Sequence, residues 1–421
     1  MTQIFSIAPG VTLRCFPDRR FKQGCMSFQL IRPMDAREAA MNALIPAVLL
    51  RGTTRHPDLR TITLRLDDLY GAAVGTQVRR VGDYQTTGLS CGFIEDRFAL
   101  DGDKVLEPMV DFLRELLLEP LTENGGFCRD IVESEKRNLI ATIESELNDK
   151  RAYAMARMLR QMCRADSYGL PRLGEADAVA AIDPVTLYDH YRKILRESRV
   201  EIFYVGSAPL EQVAELAKKL LAGIDRSPVA LPGQTPFHDV GGGNLVEELD
   251  VAQGKLCMGF TTPINNRHED FVAMQVMNTI FGGGMTSKLF NNVREKLSLC
   301  YSVGSAYYGV KGIMTVAAGI DFDKEEKTRR EILAQLEACR RGDITADELT
   351  AAKEALLSGL RGTHDAPGSI EGYYATAALS GLAMTPAEYM ERIHAVRLEQ
   401  VVAAAKTLEL HTTYFLKGVQ E

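Results

Sequence analysis

The same order of helices and strands is read twice along this 421-residue chain, and that repetition limits the folds it can adopt. Two local echoes mark the repeat. The segment KRNLIATI from Lys136 aligns with KEALLSGL from Lys353, and an apolar strand ending at Gly206 aligns with one ending at Gly418. Both echoes are about half the chain apart, as expected when one supersecondary unit is duplicated. The sequence therefore predicts two tandem homologous α+β domains, each an antiparallel sheet with helices packed on it.

Periodicity of the apolar residues predicts the elements of each copy. In the first copy we predict strands at 25–31, 73–80, 84–93 and 200–205, and helices at 36–50, 59–70, 104–118 and 127–163. In the second copy we predict strands at 255–262, 301–308, 313–320 and 412–417, and helices at 269–281, 286–297, 324–341 and 346–360.

A segment rich in proline and glycine, residues 225–244, separates the copies and predicts a linker between domains at 1–224 and 245–421. Helix starts are indicated by capping signals. Thr345 and Thr385 each precede a glutamate by three positions, which predicts capping boxes, and Asp183 stands before Pro184 at another helix start.

The composition of the chain argues against two classes of function, nucleic-acid binding and membrane insertion. The 46% hydrophobic and 25% charged residues are typical of a soluble globular protein, and the net charge of -7 offers no basic surface for a nucleic-acid backbone. The N-terminal residues lack the basic and apolar pattern of a secretory signal, so we expect none, and the apolar segment 43–50 is too short to span a bilayer. We therefore expect no nucleic acid, no membrane and a cytoplasmic location. The eight cysteines form no C-x-x-C pair, which argues against a zinc ribbon and a disulfide framework.

Catalytic motifs are missing. None of the seven histidines has another within five residues, and neither H-E-x-x-H nor the inverted H-x-x-E-H occurs, so no motif supplies a metal site. Glutamates on the helix predicted at 127–163 lie among basic residues, and this pattern predicts a solvated face of weak ion pairs. The residues of this face are Glu133, Glu135, Glu144 and Glu146, with Lys136, Arg137, Lys150 and Arg151. Gly282–Gly284 do not meet the phosphate-loop spacing, so they predict a break between helices.

One run in the second copy is distinctive: GGGMTSKLFNNVREKLSLCY, residues 282–301. It places Arg294 on a predicted helix and Tyr301 seven residues later, where a strand begins. Their spacing alone leaves a purely structural role open, with the arginine on a polar helix face and the tyrosine at a strand edge.

The run resembles the second-half motif of the insulinase and pitrilysin family of zinc metallopeptidases, which includes mitochondrial processing peptidase and its two-subunit bacterial relatives. The matching residues are Gly283, Gly284, Ser287–Phe290, Arg294 and Tyr301. Leu297 stands where the family usually has a basic residue, and Ser298 where it usually has glycine. The resemblance extends over nearly the whole chain, since it also covers the duplicated unit, the linker and the long helices.

The same resemblance implies that the first copy has lost its zinc site. Active members carry H-x-x-E-H on a helix that ends in Gly-Thr, which aligns with Gly52–Thr53. The two ligand histidines then fall on Ala43 and Ala47, the general-base glutamate on Pro46 and the third ligand on Thr142. None of these four side chains can bind zinc and activate water as the family mechanism requires. We expect no metal and no cofactor in this chain.

In the two-subunit branch one subunit holds zinc and the other supplies the arginine and tyrosine. The resemblance therefore implies a non-catalytic, substrate-binding subunit of a heterodimeric bacterial zinc endopeptidase that processes peptides. It would be inactive alone, and Gly283, Gly284, Arg294 and Tyr301 would contact the peptide bound to a zinc-bearing homologous partner. Two alternatives remain open: a catalytically inert scaffold, or a peptide-binding homodimer of the same fold.

Overall fold

Two compact units make up the chain, and each is built from both halves of the sequence. The computed structural model describes residues 2–419. The first unit contains the residues up to Glu144 together with Leu170–Gly233 and His364–Thr376. The second contains Ser145–Gly169, Gln234–Thr363 and the residues from Ala377 onward. A helical segment from each half of the sequence therefore belongs to the unit formed mainly by the other half.

The first unit is a six-stranded sheet with helices on it. Its strands are β1 (Gln3–Ala8), β2 (Val11–Pro17), β3 (Gln23–Pro33), β4 (Ala73–Val81), β5 (Tyr84–Ile94) and β8 (Arg199–Gly206), and a small ribbon is formed by β6 (Thr122–Glu123) and β7 (Gly126–Phe127). Its helices are α1 (Ala39–Leu49), α2 (Leu59–Asp68), α3 (Leu106–Leu118), α4 (Arg129–Ser145), α6 (Ala176–Ala180), α7 (Pro184–Glu197) and α8 (Leu210–Lys219). The order across the sheet is β1-β2-β8-β3-β5-β4. All neighbours are antiparallel except β2 and β8.

The second unit repeats this plan. Its strands are β9 (Gly243–Leu249), β10 (Gly254–Thr261), β11 (Ser302–Tyr308), β12 (Ile313–Ile320) and β13 (Glu409–Gly418), in the order β11-β12-β10-β13-β9. Only β13 and β9 run parallel. Its helices are α5 (Lys150–Met162), α9 (Phe271–Phe281), α10 (Glu325–Arg341), α11 (Ala346–Gly362), α13 (Pro386–Ala395) and α14 (Leu398–Lys406), with a π-helix at Leu289–Lys296; α12 (Pro367–Ser380) contributes residues to both units.

Matching the two sheets strand by strand confirms the predicted fold class. The order β4-β5-β3-β8-β2 in the first unit corresponds to β11-β12-β10-β13-β9 in the second, and the single parallel pair occupies the same place in both. β1 adds one further strand to the first sheet. Each sheet packs on its helices through a separate apolar core.

A second helical layer covers part of each sheet. In the second unit, α5 lies against β10, where Gly259 makes room for it: a Cβ atom there would lie 2.5 Å from the sulfur of Met162 and 2.9 Å from that of Met158. In the first unit, Glu371 of α12 is buried against β3. Its carboxylate accepts hydrogen bonds from Ser27 and Gln29, at 2.7 and 2.6 Å.

One prediction about the long acidic helix is wrong, and another holds only in part. The helix predicted at 127–163 is two helices, α4 and α5, because Asp149 caps a new helix by accepting from the backbone N–H groups of Arg151 and Ala152. The face predicted to be solvated is partly buried. Glu135 is buried in an ion pair with Arg51, at 2.6 Å, and Lys136 is buried and donates to a backbone carbonyl at 2.8 Å.

The capping predictions are confirmed, with Thr345 and Thr385 in capping boxes and Asp183 accepting from the first turn of α7. Residues 225–242 contain no helix or strand. Between residues 2 and 419 no helix is both long and apolar enough to cross a membrane.

Candidate functional site

The positions aligned with zinc ligands lie on α1 and α4 and carry no ligating group. Ala43 and Pro46 are buried in α1, and Ala47 is half-buried. Thr142 is exposed on α4, where its hydroxyl donates to the carbonyl of Asn138 at 2.8 Å. In the part of the chain that the structure describes, no group of three or more His, Cys, Asp or Glu residues could hold a metal ion.

Buried polar side chains form a hydrogen-bond network around Pro46. Proline has no N–H, so it leaves the Asn42 carbonyl without its helical partner, and the Thr87 hydroxyl on β5 donates to that carbonyl at 2.6 Å. The Asn42 amide donates to Gln85 at 2.9 Å, and its oxygen accepts from Nε2 of His190 at 2.8 Å. Burial lowers the pKa of His190 to about 4, so this imidazole is neutral near pH 7. Sequence reasoning missed this network because its members lie on three separate elements.

Arg294 lies on the π-helix Leu289–Lys296, in the segment for which an ordinary helix was predicted. Leu289 and Val293 face the core and fix the buried side of this helix. The Arg294 guanidinium lies over the Phe290 ring, 4.7 Å from its centroid, and Nη1 is 3.3 Å from a Glu295 carboxylate oxygen. The arginine side chain is 39% exposed, so it can reach a bound molecule. π-Helical turns are rare and recur at functional sites.

The end of the π-helix explains why glycine would suit position 298. Ser298 has a φ of 48°, in the left-handed region that residues with a Cβ atom adopt only at a cost. This turn lets the N–H of Leu299 bond to the Val293 carbonyl at 3.0 Å. Leu299 and Cys300 are then buried, which brings Tyr301 out to the surface.

Tyr301 is 61% exposed and is tied to the end of β12 at both of its polar groups. Its N–H donates to the Gly319 carbonyl at 2.8 Å, and its hydroxyl donates to Oδ1 of Asp321 at 2.8 Å. The other oxygen of Asp321 lies 2.7 Å from the Lys324 ammonium. The hydrogen bond to Asp321 raises the pKa of Tyr301 above its ordinary value, so the phenol stays protonated and remains a donor near pH 7.

Arg294 and Tyr301 line the same cavity, with a volume of about 480 Å³. Its wall also includes Glu295, Asp321 and Lys324, so it presents charges of both signs. The guanidinium and the phenol are both hydrogen-bond donors, and donors of this kind can stabilise negative charge on a bound molecule. Asp321 and Lys324 were not predicted from the sequence; the register of β11 on β12 brings them to Tyr301.

Gly283 and Gly284 line a different cavity, of about 650 Å³, beside the edge strand β11. The preceding Gly282 packs tightly, because its carbonyl accepts from the Ser305 N–H at 2.9 Å and a Cβ atom there would lie 2.6 Å from the Ser305 hydroxyl oxygen. Gly284 has no such constraint, since a Cβ atom at this position would meet nothing within 4 Å. Phe290, which supports Arg294, also lines this cavity.

The predicted site residues therefore fall into three places. The positions aligned with zinc ligands lie in the first unit; they are Ala43, Pro46, Ala47 and Thr142. In the second unit, Gly283 and Gly284 line the cavity of about 650 Å³. Arg294 and Tyr301 line the cavity of about 480 Å³.

The chain is similar to known proteins in both sequence and fold. Residues 181–356 match the family described as the peptidase M16 inactive domain. The chain is 29% identical over 411 residues to the probable inactive metalloprotease YmfF of Bacillus subtilis (strain 168), covering 98% of this chain and 96% of that protein.

Solved structures show the same fold. A conserved protein from Enterococcus faecalis V583 superimposes with a TM-score of 0.92 at 29% identity, over 100% of this chain and 99% of the other. A peptidase M16 inactive domain from Pseudomonas fluorescens superimposes with a TM-score of 0.82 at 19% identity, over 100% and 98%. Residues 181–356 therefore resemble the peptidase M16 inactive domain, and the chain shares its fold over its whole length with these two solved structures.

Proposed function

We propose that this chain is the non-catalytic, substrate-binding subunit of a heterodimeric zinc endopeptidase that processes peptides. One observation carries the proposal: Arg294 and Tyr301 are both accessible at one cavity, whereas the aligned zinc positions hold only alanine, proline and threonine. A homologous partner with an intact H-x-x-E-H motif would hold the zinc. The metal would activate the attacking water there.

The two donors suit the charge that develops during peptide hydrolysis. Attack on the scissile carbonyl creates an oxyanion, and preorganised donors aimed at that oxygen lower the barrier. The Tyr301 phenol offers one O–H, and its raised pKa keeps that proton in place. The Arg294 guanidinium lies over Phe290 and places Nη1 near Glu295, and its other N–H groups could contact the substrate.

The neighbouring cavity suits an extended peptide. β11 is an edge strand, so a peptide could add to it through backbone hydrogen bonds. Gly284 leaves open space on the wall of this cavity, where a larger residue would project into the path of the peptide. Phe290 lines this cavity and contacts Arg294, which lines the cavity of Tyr301, so these two residues would join the peptide site to the donors.

The first experiment tests assembly. The chain is co-expressed with a zinc-bearing homologue that has an intact H-x-x-E-H motif, and the products are measured by size-exclusion light scattering and by cleavage of a quenched fluorescent peptide library. We expect a one-to-one complex that cleaves peptides, with no cleavage by this chain alone. A homodimer that binds peptide without hydrolysis, or a partner that is fully active alone, would contradict the proposal.

The second experiment tests the donors in that complex. Tyr301→Phe removes one hydroxyl, and the loss of one oxyanion donor should lower kcat on the order of a hundredfold with little change in KM. Tyr70→Phe is the matched control, because Tyr70 is also exposed and donates to an aspartate, Asp103, at 2.6 Å in the first unit. Arg294→Ala should lower kcat and also raise KM, since a guanidinium can grip a carbonyl before reaction. Wild-type kinetics for both variants would leave these residues with a structural role only.

A further inference from the structure

The hydroxyl of Tyr301 has a single proton to donate, and Asp321 already accepts it. A phenol carries one O–H, so it makes one strong donated hydrogen bond at a time. The hydroxyl lies 2.8 Å from Oδ1 of Asp321, within the cavity that both side chains line. While that bond is made, the same proton cannot stabilise an oxyanion on a peptide.

Asp321 is held in place as an acceptor. It follows β12 directly and precedes α10, so its backbone is fixed between a buried strand and a helix. Lys324 lies 2.7 Å from its second oxygen and 3.4 Å from the Ser298 carbonyl, which leaves Oδ1 free to accept from the phenol. The acceptor is therefore built from residues of this chain and is present before any substrate binds.

We infer that Asp321 is a latch on Tyr301, which holds the phenol hydroxyl in the resting subunit and yields it to the oxyanion of a bound peptide. The inference rests on the proposed function, since it concerns when the donor becomes available. The competition is between two anions for one proton. The Asp321 carboxylate shares its charge with Lys324, which makes it the weaker competitor once a full oxyanion forms in an enclosed site.

The strength of the hydrogen bond between Tyr301 and Asp321 depends on how far both side chains are exposed to water. Tyr301, Asp321 and Lys324 are all accessible to water, which weakens a hydrogen bond or ion pair between them. A weak hydrogen bond to Asp321 makes the Tyr301 hydroxyl less available to a substrate but does not prevent it from donating. Removing the acceptor should therefore speed turnover modestly, by about two- to fivefold.

The first test needs neither a partner nor activity. 3-Fluorotyrosine is incorporated into the isolated chain, the Tyr301 signal is assigned by its loss in Tyr301→Phe, and its titration is followed by fluorine NMR. Asp321→Ala should lower the pKa of Tyr301, because a neighbouring carboxylate that accepts from the phenol favours its protonated form. Asp323→Ala, an exposed aspartate two residues away with no hydrogen bond to Tyr301, should leave it unchanged. Equal titration in wild type and Asp321→Ala would overturn the latch.

The second test uses the reconstituted pair. Asp321→Ala should raise kcat about two- to fivefold, and this gain should vanish when Tyr301→Phe is also present, because the latch acts only through that hydroxyl. A fall in kcat, or a gain that persists without the hydroxyl, would overturn the inference. If Tyr301→Phe itself leaves kcat unchanged, the proposed function fails, while the NMR titration still reports whether the hydroxyl is held.

Discussion

A buried ion pair offers the most direct test of how the second unit is stabilised. Lys311 lies in the turn between β11 and β12, and its side chain is completely buried. Its ammonium is 2.9 Å from the Asp166 carboxylate, 3.0 Å from the Thr235 carbonyl and 3.1 Å from the Thr235 hydroxyl. These three residues come from distant parts of the sequence but belong to the same unit. The pair therefore fixes the turn that follows the edge strand β11.

Asp166→Asn tests the charge while keeping the shape. The variant retains an oxygen acceptor but removes the carboxylate charge beside the buried ammonium. Removing one partner of a buried pair costs about 3–5 kcal/mol, because the remaining charge is uncompensated. Two features favour the lower end, about 3 kcal/mol. Thr235 still supplies two oxygens, and a cavity of about 500 Å³ beside Asp166 can admit water.

Three variants and a control separate charge from packing. Lys311→Met added to Asp166→Asn removes the stranded ammonium, so the double variant should recover more than half of the loss. The control is Asp343→Asn, which breaks an exposed pair with Arg341 and should change the free energy of unfolding by less than about 0.5 kcal/mol. Lys311→Met alone should also destabilise, since it strands the carboxylate instead.

Urea denaturation followed by circular dichroism gives the free energies, because the chain has no tryptophan to report by fluorescence. Hydrogen exchange at the amides of β11 and β12 assigns the loss to the second unit, which matters where two units can unfold separately. A loss below about 1 kcal/mol for Asp166→Asn, or a double variant no more stable than the single one, would refute the argument from burial.

Three further outcomes are expected. The purified chain should hold no stoichiometric zinc by elemental analysis, since Ala43, Ala47 and Thr142 supply no ligand; one zinc per chain would contradict the proposed role. Ser298→Gly should raise the urea midpoint and the free energy of unfolding, the latter by about 0.5–1 kcal/mol. Glycine relieves the left-handed backbone, but it also adds flexibility to the unfolded chain, which offsets part of that gain. A lower free energy of unfolding would show that the serine is not strained. The free energy of unfolding should fall by about 3 kcal/mol as the pH drops from about 6.5 to about 4. Burial lowers the pKa of His190 to about 4, so the unfolded chain binds the proton at a higher pH than the folded chain does. This loss should be largely absent in His190→Gln.

Most of the sheet could be predicted because its strands carry their own signal. The five-strand core of each unit shows apolar runs bounded by turns, and eight of those ten strands were predicted within a few residues. β2 and β9 were missed, as was β1. β1 and β9 are edge strands with largely exposed side chains, so little in their sequences separates them from loops. The break before α5 was missed because helical periodicity continues on both sides of Asp149.

The candidate site was predictable only in part, and for a physical reason. Arg294 and Tyr301 are close in sequence, so a local motif could identify them and the structure places them at one cavity. Asp321 is twenty residues from Tyr301 and reaches it because β11 and β12 form a hairpin. A strand pattern predicts that two strands exist, but not the residue at which they align. The partners of a site residue are therefore harder to predict than the residue itself.

The polar groups around Pro46 differ in exposure from those at the Arg294–Tyr301 cavity, and this difference bears on where a substrate could bind. Around Pro46 the polar side chains pair with one another inside the core: Asn42 with Gln85 and His190, and the freed carbonyl with Thr87. Buried hydrogen bonds of this kind stabilise the fold around the positions aligned with zinc ligands. At the other site the donors of Arg294 and Tyr301 remain accessible, held by groups that water can replace. Donors that are paired inside a core are not accessible to a substrate, whereas exposed donors are. We therefore expect a substrate to bind at the Arg294–Tyr301 cavity and not at the positions around Pro46.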